Sequence, residues 1–381
     1  MTASDQTSTQ AAPATFPAEW AQLRTVLAHD WLTGMRGGER VLELLGEGFP
    51  TAPIYTLIHN ASRLSEKINA HEIHASWLQH VPGVTKYYRY FLPFFPGAVE
   101  GLRPPPADLL ISTSHCVAKG LRTPSGGKHL CYCFTPMRYA WLFYDEYFGG
   151  NPLKKAMLSP VLARLRDWDR KASERVDHFV TLSRHVQRRI LEFYGRESEV
   201  VYPPVNTGFF TPGGEPGGFD LVVSALVPYK KLDLVIRAYN RLGFPLKVVG
   251  VGTEYEKLRH SAGPNITFEG WVPDEKTREL YRACRCLVFP GEEDFGIVPV
   301  EAQACGRPVV AFARGGVLES VDEKTSGVFF REQTEEALLG GVEECAGRKW
   351  DPAAIRRHAE TFGFQRFIDG MSLQVRKCLG R

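Results

Sequence analysis

The sequence predicts an α/β protein built from two doubly wound, parallel-sheet domains, and three observations carry that expectation. Its 381 residues exceed the ~100 to 200 usual for one domain. Short β-rich runs alternate with longer helical stretches, as in βαβ units. The alternation occurs twice, on either side of residues 202–218, where Pro203, Pro204, Pro212, Gly213, Gly214, Pro216, Gly217 and Gly218 exclude any regular element.

Taken in order, residues 1–17 are rich in Ser, Thr, Ala and Pro and are expected to form a disordered tail. The first domain, 18–204, offers strands at 25–28, 109–112, 130–133 and 179–182, with helical patterns such as 39–45 and 160–176 between them. The second, 205–360, offers strands at 221–224, 246–249, 286–289 and 309–312. Residues 361–381 are expected to form a helix packing back on the first domain. In open sheets of this kind ligands bind beyond the carboxyl ends of the strands, so the loops after strands hold the candidate site.

Composition excludes several classes. Lys plus Arg number 46 against 43 for Asp plus Glu, and a net charge of +3 is too weak a field to imply a nucleic-acid partner. The eight cysteines form no C-x-x-C pair and lie mostly in apolar runs, so reduced core thiols in the cytoplasm are expected. No apolar run reaches the ~18 residues that cross a bilayer, which leaves peripheral contact at the inner face as the membrane option. The aromatic run Tyr87, Tyr88, Tyr90, Phe91, Phe94 and Phe95, flanked by Lys86 and Arg89, could serve such contact, although packing in the core or between domains accounts for it more economically. Neither a metal nor a cofactor is expected. His71 and His74 stand one residue too close for the spacing that puts two histidines on one helical face. Asp167 and Asp169 lie on a helical pattern where alternate residues face apart. Gly250-Val251-Gly252 lacks the third glycine of a dinucleotide fingerprint, and there is no Walker A sequence.

The candidate site is built from strand ends. After 286–289 come Pro290 and Gly291, then Glu292-Glu293-Asp294-Phe295-Gly296, then a helix from about Ile297 to a stop at Gly306. Backbone N–H groups of Phe295, Gly296, Ile297 and Val298, at the positive end of that helix, suit phosphate or sugar oxygens. Glu293 and Glu301 flank them and can accept from vicinal hydroxyls of a sugar and a ribose, although acidic residues at a helix start also occur for dipole reasons alone. After 221–224, Lys230 is placed inward toward a diphosphate and Lys231 outward; the alternative is a solvated helix start with Lys231 paired to Asp233. In the first half, Gly37 and Gly38 open a helix and permit close approach of a ligand, or simply a tight turn. His115 and Arg138, also at strand ends, are candidates for catalysis and ligand binding respectively, and either could be structural.

Residues Ser224 to Asp233, Val249-Gly250-Val251-Gly252, Glu269-Gly270-Trp271, Glu293 through Glu301, Ala302 through Val309 and Gly315-Gly316 closely resemble the retaining family 4 glycosyltransferases (group 1) of the GT-B fold. Gly37-Gly38-Glu39, Thr135-Pro136-Met137-Arg138-Tyr139, Ser183-Arg184-His185 and Val201 through Val205 resemble a bacterial mannosyltransferase-like branch. The resemblance implies two Rossmann-like domains facing across a cleft. It also implies transfer of a hexose, mannose from GDP-mannose, to a glycan or lipid-linked saccharide by front-face displacement. It assigns Lys230 to the donor diphosphate, Glu293 to the donor sugar, Glu301 to the ribose and Gly38 to the phosphate region. Many relatives carry arginine where Ala225 stands, a cation that Arg184 or Arg138 would then supply, and branch members often carry histidine where Phe134 stands. The rival readings are a nucleotide-sugar epimerase or phosphorylase of the same fold and a non-catalytic sugar-nucleotide binding module.

Overall fold

The computed structural model describes residues 14–141 and 152–381. The expected tail therefore lies outside the described residues as far as residue 13. Residues 14–17 belong to the fold: the Thr15 N–H donates to Gln365 Oε1 at 2.9 Å.

The chain divides into two compact units, one comprising Phe16–Pro203 with Asp369–Arg381, the other Pro204–Ile368. In the first, seven strands form a parallel sheet: β1 (Thr25–His29), β2 (Ile54–Thr56), β3 (Ile73–Ala75), β4 (Leu109–Ser114), β5 (Lys128–Cys133), β6 (His178–Thr181) and β7 (Glu199–Val200). Their order is β3-β2-β1-β4-β5-β6-β7. In the second, six strands do the same: β8 (Asp220–Val223), β9 (Leu246–Val249), β10 (Ile266–Gly270), β11 (Leu287–Phe289), β12 (Val309–Phe312) and β13 (Gly327–Phe330), in the order β10-β9-β8-β11-β12-β13. Each sheet is thus wound outward in both directions from one central pair, β1/β4 in the first and β8/β11 in the second.

Helices cover both faces, which explains why the central strands are apolar throughout rather than alternating: β1, β4 and β12 are buried at every residue. The helix Gly37–Gly48 returns from β1, and its start is held by the Arg36 N–H donating to Glu39 Oε2 at 3.2 Å. The helix expected over 160–176 begins earlier, at Pro152, and ends at Glu174, so Pro160 is internal to it. Asp167 and Asp169 do face apart on that helix. Asp167 pairs with Lys171 at the surface, 2.9 Å, whereas Asp169 is buried against Lys119 at 2.5 Å and accepts from Tyr194 Oη (2.7 Å) and Trp141 Nε1 (2.9 Å). Its charge raises the Lys119 pKa against the opposing effect of burial.

The C-terminal helix Phe364–Cys378 contributes Met371 and Val375 to the core of the first unit. It is joined there by contacts from Gln374 Oε1 to His178 Nε2 (2.9 Å) and from Lys377 to Glu199 (2.8 Å). All eight cysteines are buried free thiols. Among the described residues no helix is long and apolar enough to cross a membrane.

Candidate active site

Both central strand pairs are places where the order of a doubly wound sheet reverses, and open sheets of this kind bind their ligands beyond the carboxyl ends at such points. Most of the site residues expected from sequence follow the strands of these two pairs, one pair in each unit, while Arg138 and Arg184 follow the next strands of the first sheet, β5 and β6.

In the second unit the chain leaves β8 through the turn Pro228–Lys230, and Lys231 takes a left-handed conformation (φ 55°) that turns it into the helix Leu232–Leu242. Lys230 is folded inward and forms an ion pair with Glu293, which arrives on the loop after β11. Lys231 is exposed. The surface pair considered for Lys231 is corrected, since Asp233 binds Arg237 one helical turn on, at 2.9 Å.

Glu293 is clamped from behind. It bridges Gly315 in strand fashion, and its carbonyl accepts from the Gly316 N–H at 2.7 Å. A Cβ at Gly315 would lie 2.3 Å from the Glu293 carbonyl oxygen and one at Gly316 2.2 Å from that of Asp294, so only glycine lets these two loops touch. Gly296 (φ 94°) caps the helix Ile297–Ala304, whose first-turn N–H groups a helix leaves without internal acceptors. Phe295 is buried against Phe362, so its contribution to a ligand is its backbone. Its carbonyl accepts from Ser320 Oγ at 3.0 Å. Glu301 accepts from Tyr281 Oη at 2.9 Å, and burial holds that phenol protonated by pushing its pKa well up.

In the first unit the loop after β4 wraps around Asp30, which follows β1. The buried Asp30 carboxylate accepts the N–H groups of His115 (2.6 Å), Cys116 (3.0 Å), Val117 (2.6 Å) and Ala118 (2.7 Å), and lies 3.0 Å from His115 Nδ1. Burial alone would raise its pKa. The His115 imidazole, His29 and the backbone donors overcome that and hold the carboxyl well below the usual range. His115 therefore presents Nδ1–H to Asp30, while its ring packs edge-on to Trp31 at 4.5 Å.

His29 is buried, and desolvation lowers its pKa although Glu39 and Asp30 oppose this. Its Nδ1 is 2.7 Å from Thr113 Oγ1, whose own proton goes to the Ala28 carbonyl (3.1 Å), so Nδ1 carries the hydrogen. Gly38, beside Gly37 at the helix start, is where a Cβ would press on His29 and Phe134, each 3.3 Å away. Arg138 follows β5 and the exposed Arg184 follows β6, capped by Ser183 Oγ accepting from Val186 N–H at 3.1 Å.

The structure thus brings Lys230, Glu293, Gly296, Ile297, Val298 and Glu301 to one sheet edge, and His115, Gly37, Gly38, Arg138 and Arg184 to the other. Sequence reasoning missed Asp30 and Thr113 as the groups that set His115 and His29. The one available signal was the His29-Asp30 pair at a strand end. Among the described residues no three His, Cys, Asp or Glu side chains are grouped to hold a metal ion.

Residues 216–358, nearly the whole of the second unit, match the family described as glycosyl transferases group 1. The chain is 32% identical over 230 residues to a D-inositol 3-phosphate glycosyltransferase of Geodermatophilus obscurus, covering 51% of each chain. It is 30% identical over 162 residues to an uncharacterized glycosyltransferase of Methanocaldococcus jannaschii, covering 41% of this chain and 46% of that one. The chain thus spans about half the length of the curated relatives it matches. Among solved structures it is similar to sucrose-phosphate synthase from Thermosynechococcus elongatus, with a TM-score of 0.68 at 16% identity over 94% of this chain and 99% of that one. Anabaena HepE in complex with UDP and glucose gives a TM-score of 0.66 at 16% identity with the same coverage.

The fold is GT-B. In GT-B terms the Lys230 and Glu293 loops belong to the unit that matches the family, and the Asp30–His115 loop to the unit outside that match.

Proposed function

We propose that this protein is a retaining, metal-independent glycosyltransferase that moves a hexose, mannose from GDP-mannose, onto a glycan or lipid-linked saccharide. The observation that carries the reading is the Lys230–Glu293 pair beside the Gly296 helix start, at the β8/β11 reversal point. One small region there offers a cation, a carboxylate and oriented N–H groups, the three kinds of partner a nucleotide-diphosphate sugar requires.

Lys230 and the helix start take the diphosphate, whose charge grows as the sugar departs. Glu293 accepts from hexose hydroxyls, and Glu301, oriented by Tyr281, accepts from the ribose diol. Because Lys230 and Glu293 hold each other in place, both are positioned before the donor arrives. A donor phosphate oxygen assists the acceptor hydroxyl on the same face of the sugar, so no protein nucleophile is needed. Mannose and GDP are supported by the resemblance of Thr135 through Tyr139 and Val201 through Val205 to the mannosyltransferase-like branch. Structures of the same fold hold UDP and UDP-glucose, so uridine belongs in the comparison.

Thermal shift with GDP, UDP and ADP tests the donor, because a ligand of the native state raises its melting temperature. GDP should give the largest shift, and an equal or larger one with UDP overturns the mannose reading. Lys230→Ala should slow transfer roughly 10- to 100-fold, the cost of a lost charge-assisted bond to phosphate. Wild-type transfer should persist in EDTA; its abolition, reversed by magnesium, overturns metal independence.

A further inference from the structure

Residues 73–99 contain no Asp or Glu, yet hold Lys86, Arg89 and seven aromatic residues. The segment folds as a chain of short helical turns, Trp77–His80, Val84–Tyr87, Tyr88–Phe94 and Phe95–Gly101. Tyr88, Leu92 and Phe95 anchor it in the core of the first unit. Phe91 packs partly buried against that core, whereas Trp77 is 50% exposed, Tyr87 49%, Tyr90 83% and Phe94 56%. The expected packing role thus holds for half of the run and fails for the other half.

The two cations lie among these rings, Lys86 Nζ 5.2 Å from the centroid of Tyr87 and the Arg89 guanidinium 5.1 Å from that of Tyr88. Beside them opens a cavity of about 430 Å³ whose wall includes Trp31, Lys86, Tyr87, Arg89, Tyr90 and Tyr139. Among the described residues that line it there is no carboxylate and no side-chain amide. A neutral glycan is gripped through acceptors for its hydroxyls, and the side chains described in this wall supply these only through the hydroxyls of Tyr87, Tyr90 and Tyr139. Two cations framed by exposed aromatic rings instead match a group that is anionic at one end and apolar at the other. Exposed Trp, Tyr and Phe with Lys and Arg are also the side chains that settle at a bilayer surface.

We infer that this patch and cavity bind the phosphate head group of an anionic amphiphile at a membrane surface. Lys86 and Arg89 meet the phosphate while Trp77, Tyr87, Tyr90 and Phe94 enter the acyl boundary. Trp31, shared by the cavity wall and the His115 contact, joins this place to the Asp30–His115 loop. The acceptor class is then a saccharide carried on a lipid phosphate, a conclusion that rests on the transferase reading above.

The test is flotation of the full-length protein with phosphatidylcholine vesicles, with and without phosphatidylglycerol. Binding should be at least tenfold tighter to the anionic vesicles and should weaken with salt. Lys86→Glu with Arg89→Glu should reduce it about tenfold or more, and Tyr90→Ser should reduce it independently. Lys171→Glu, an exposed cation on another helix, should leave it unchanged, and unaltered melting temperatures show that the variants fold. Equal binding to neutral vesicles, no binding to anionic ones, or full binding by the double variant overturns the inference. So does release by a soluble polyol phosphate at the concentration of accessible lipid phosphate, which assigns the cavity to a soluble ligand. Nucleotide-diphosphate binding measured on the same samples reports Lys230 and Glu293 separately, so failure of the transferase reading and failure of the lipid site give different patterns.

Discussion

The carboxylate of Asp30 has been stripped of water and given four backbone N–H groups and one imidazole N–H in its place. That exchange fixes a loop and a histidine tautomer with one charge, and its pH dependence follows from sign. An acid with a lowered pKa stabilises the fold above its unfolded value near ~3.9 and loses that contribution only as pH falls below it. His129 acts higher on the scale. It is fully buried beside Ser112, Nε2 to Oγ 2.7 Å, and desolvation pushes its pKa down to about 3. The unfolded chain therefore takes up a proton near pH ~6.5 that the folded chain refuses until about pH 3, and stability falls by roughly 1.4 kcal/mol per pH unit in between. Urea unfolding of wild type and His129→Gln at pH 7, 6 and 5 checks this. The wild type should lose stability more steeply, since His29, whose pKa burial also lowers, contributes to both proteins alike; parallel slopes contradict it.

At the scale of the element, the Gly315-Gly316 turn is what holds the Glu293 loop. Gly316→Ala drives a methyl to 2.2 Å from the Asp294 carbonyl, so the loop must shift, and nucleotide-diphosphate affinity should fall at least tenfold with a loss of stability. Gly340, exposed in the helix Glu335–Gly347 with nothing near its missing Cβ, gives the opposite sign. Gly340→Ala should stabilise by about 0.5–1 kcal/mol and leave binding alone. Calorimetry and titration of the two variants decide it; equal behaviour refutes the loop contact. The same contrast explains what the sequence made legible. The strand 309–312 could be read to the residue because both faces are buried and the run is apolar throughout, and 246–249 because Leu246, Val248 and Val249 are buried around the single partly exposed Lys247. β2, β3 and β7 escaped because two or three residues carry no period, and β10 because most of it is only half buried. Glu293, Gly296 and Glu301 were visible because they are close in sequence around one helix start. The grip of Asp30 on His115 was not, since its partners follow 85 to 88 residues later and local spacing holds no trace of them.

At the scale of the whole molecule, the two units divide the chain unevenly in sequence, the last thirteen residues joining the first unit rather than the second. The division is even in one respect: Cys116, Cys131, Cys133 and Cys378 fall in the first unit, and Cys284, Cys286, Cys305 and Cys345 in the second. All eight are shielded by burial, and at Cys116, Cys133, Cys284, Cys286, Cys305 and Cys378 the surroundings also raise the thiol pKa, at Cys305 up to about 12. A thiol-alkylating reagent consequently meets a silent protein until some part of it opens. Each opening then writes itself into the mass of the molecule, and the mass becomes a record of cooperativity. If the units open independently, intermediate denaturant should yield a population carrying four labels, and peptide mapping should find all four on one side of the division. If they open together, molecules with none and molecules with eight should coexist with nothing between. Partial counts of one or two would mean that neither unit opens as a whole, and that single helices peel away from their sheets.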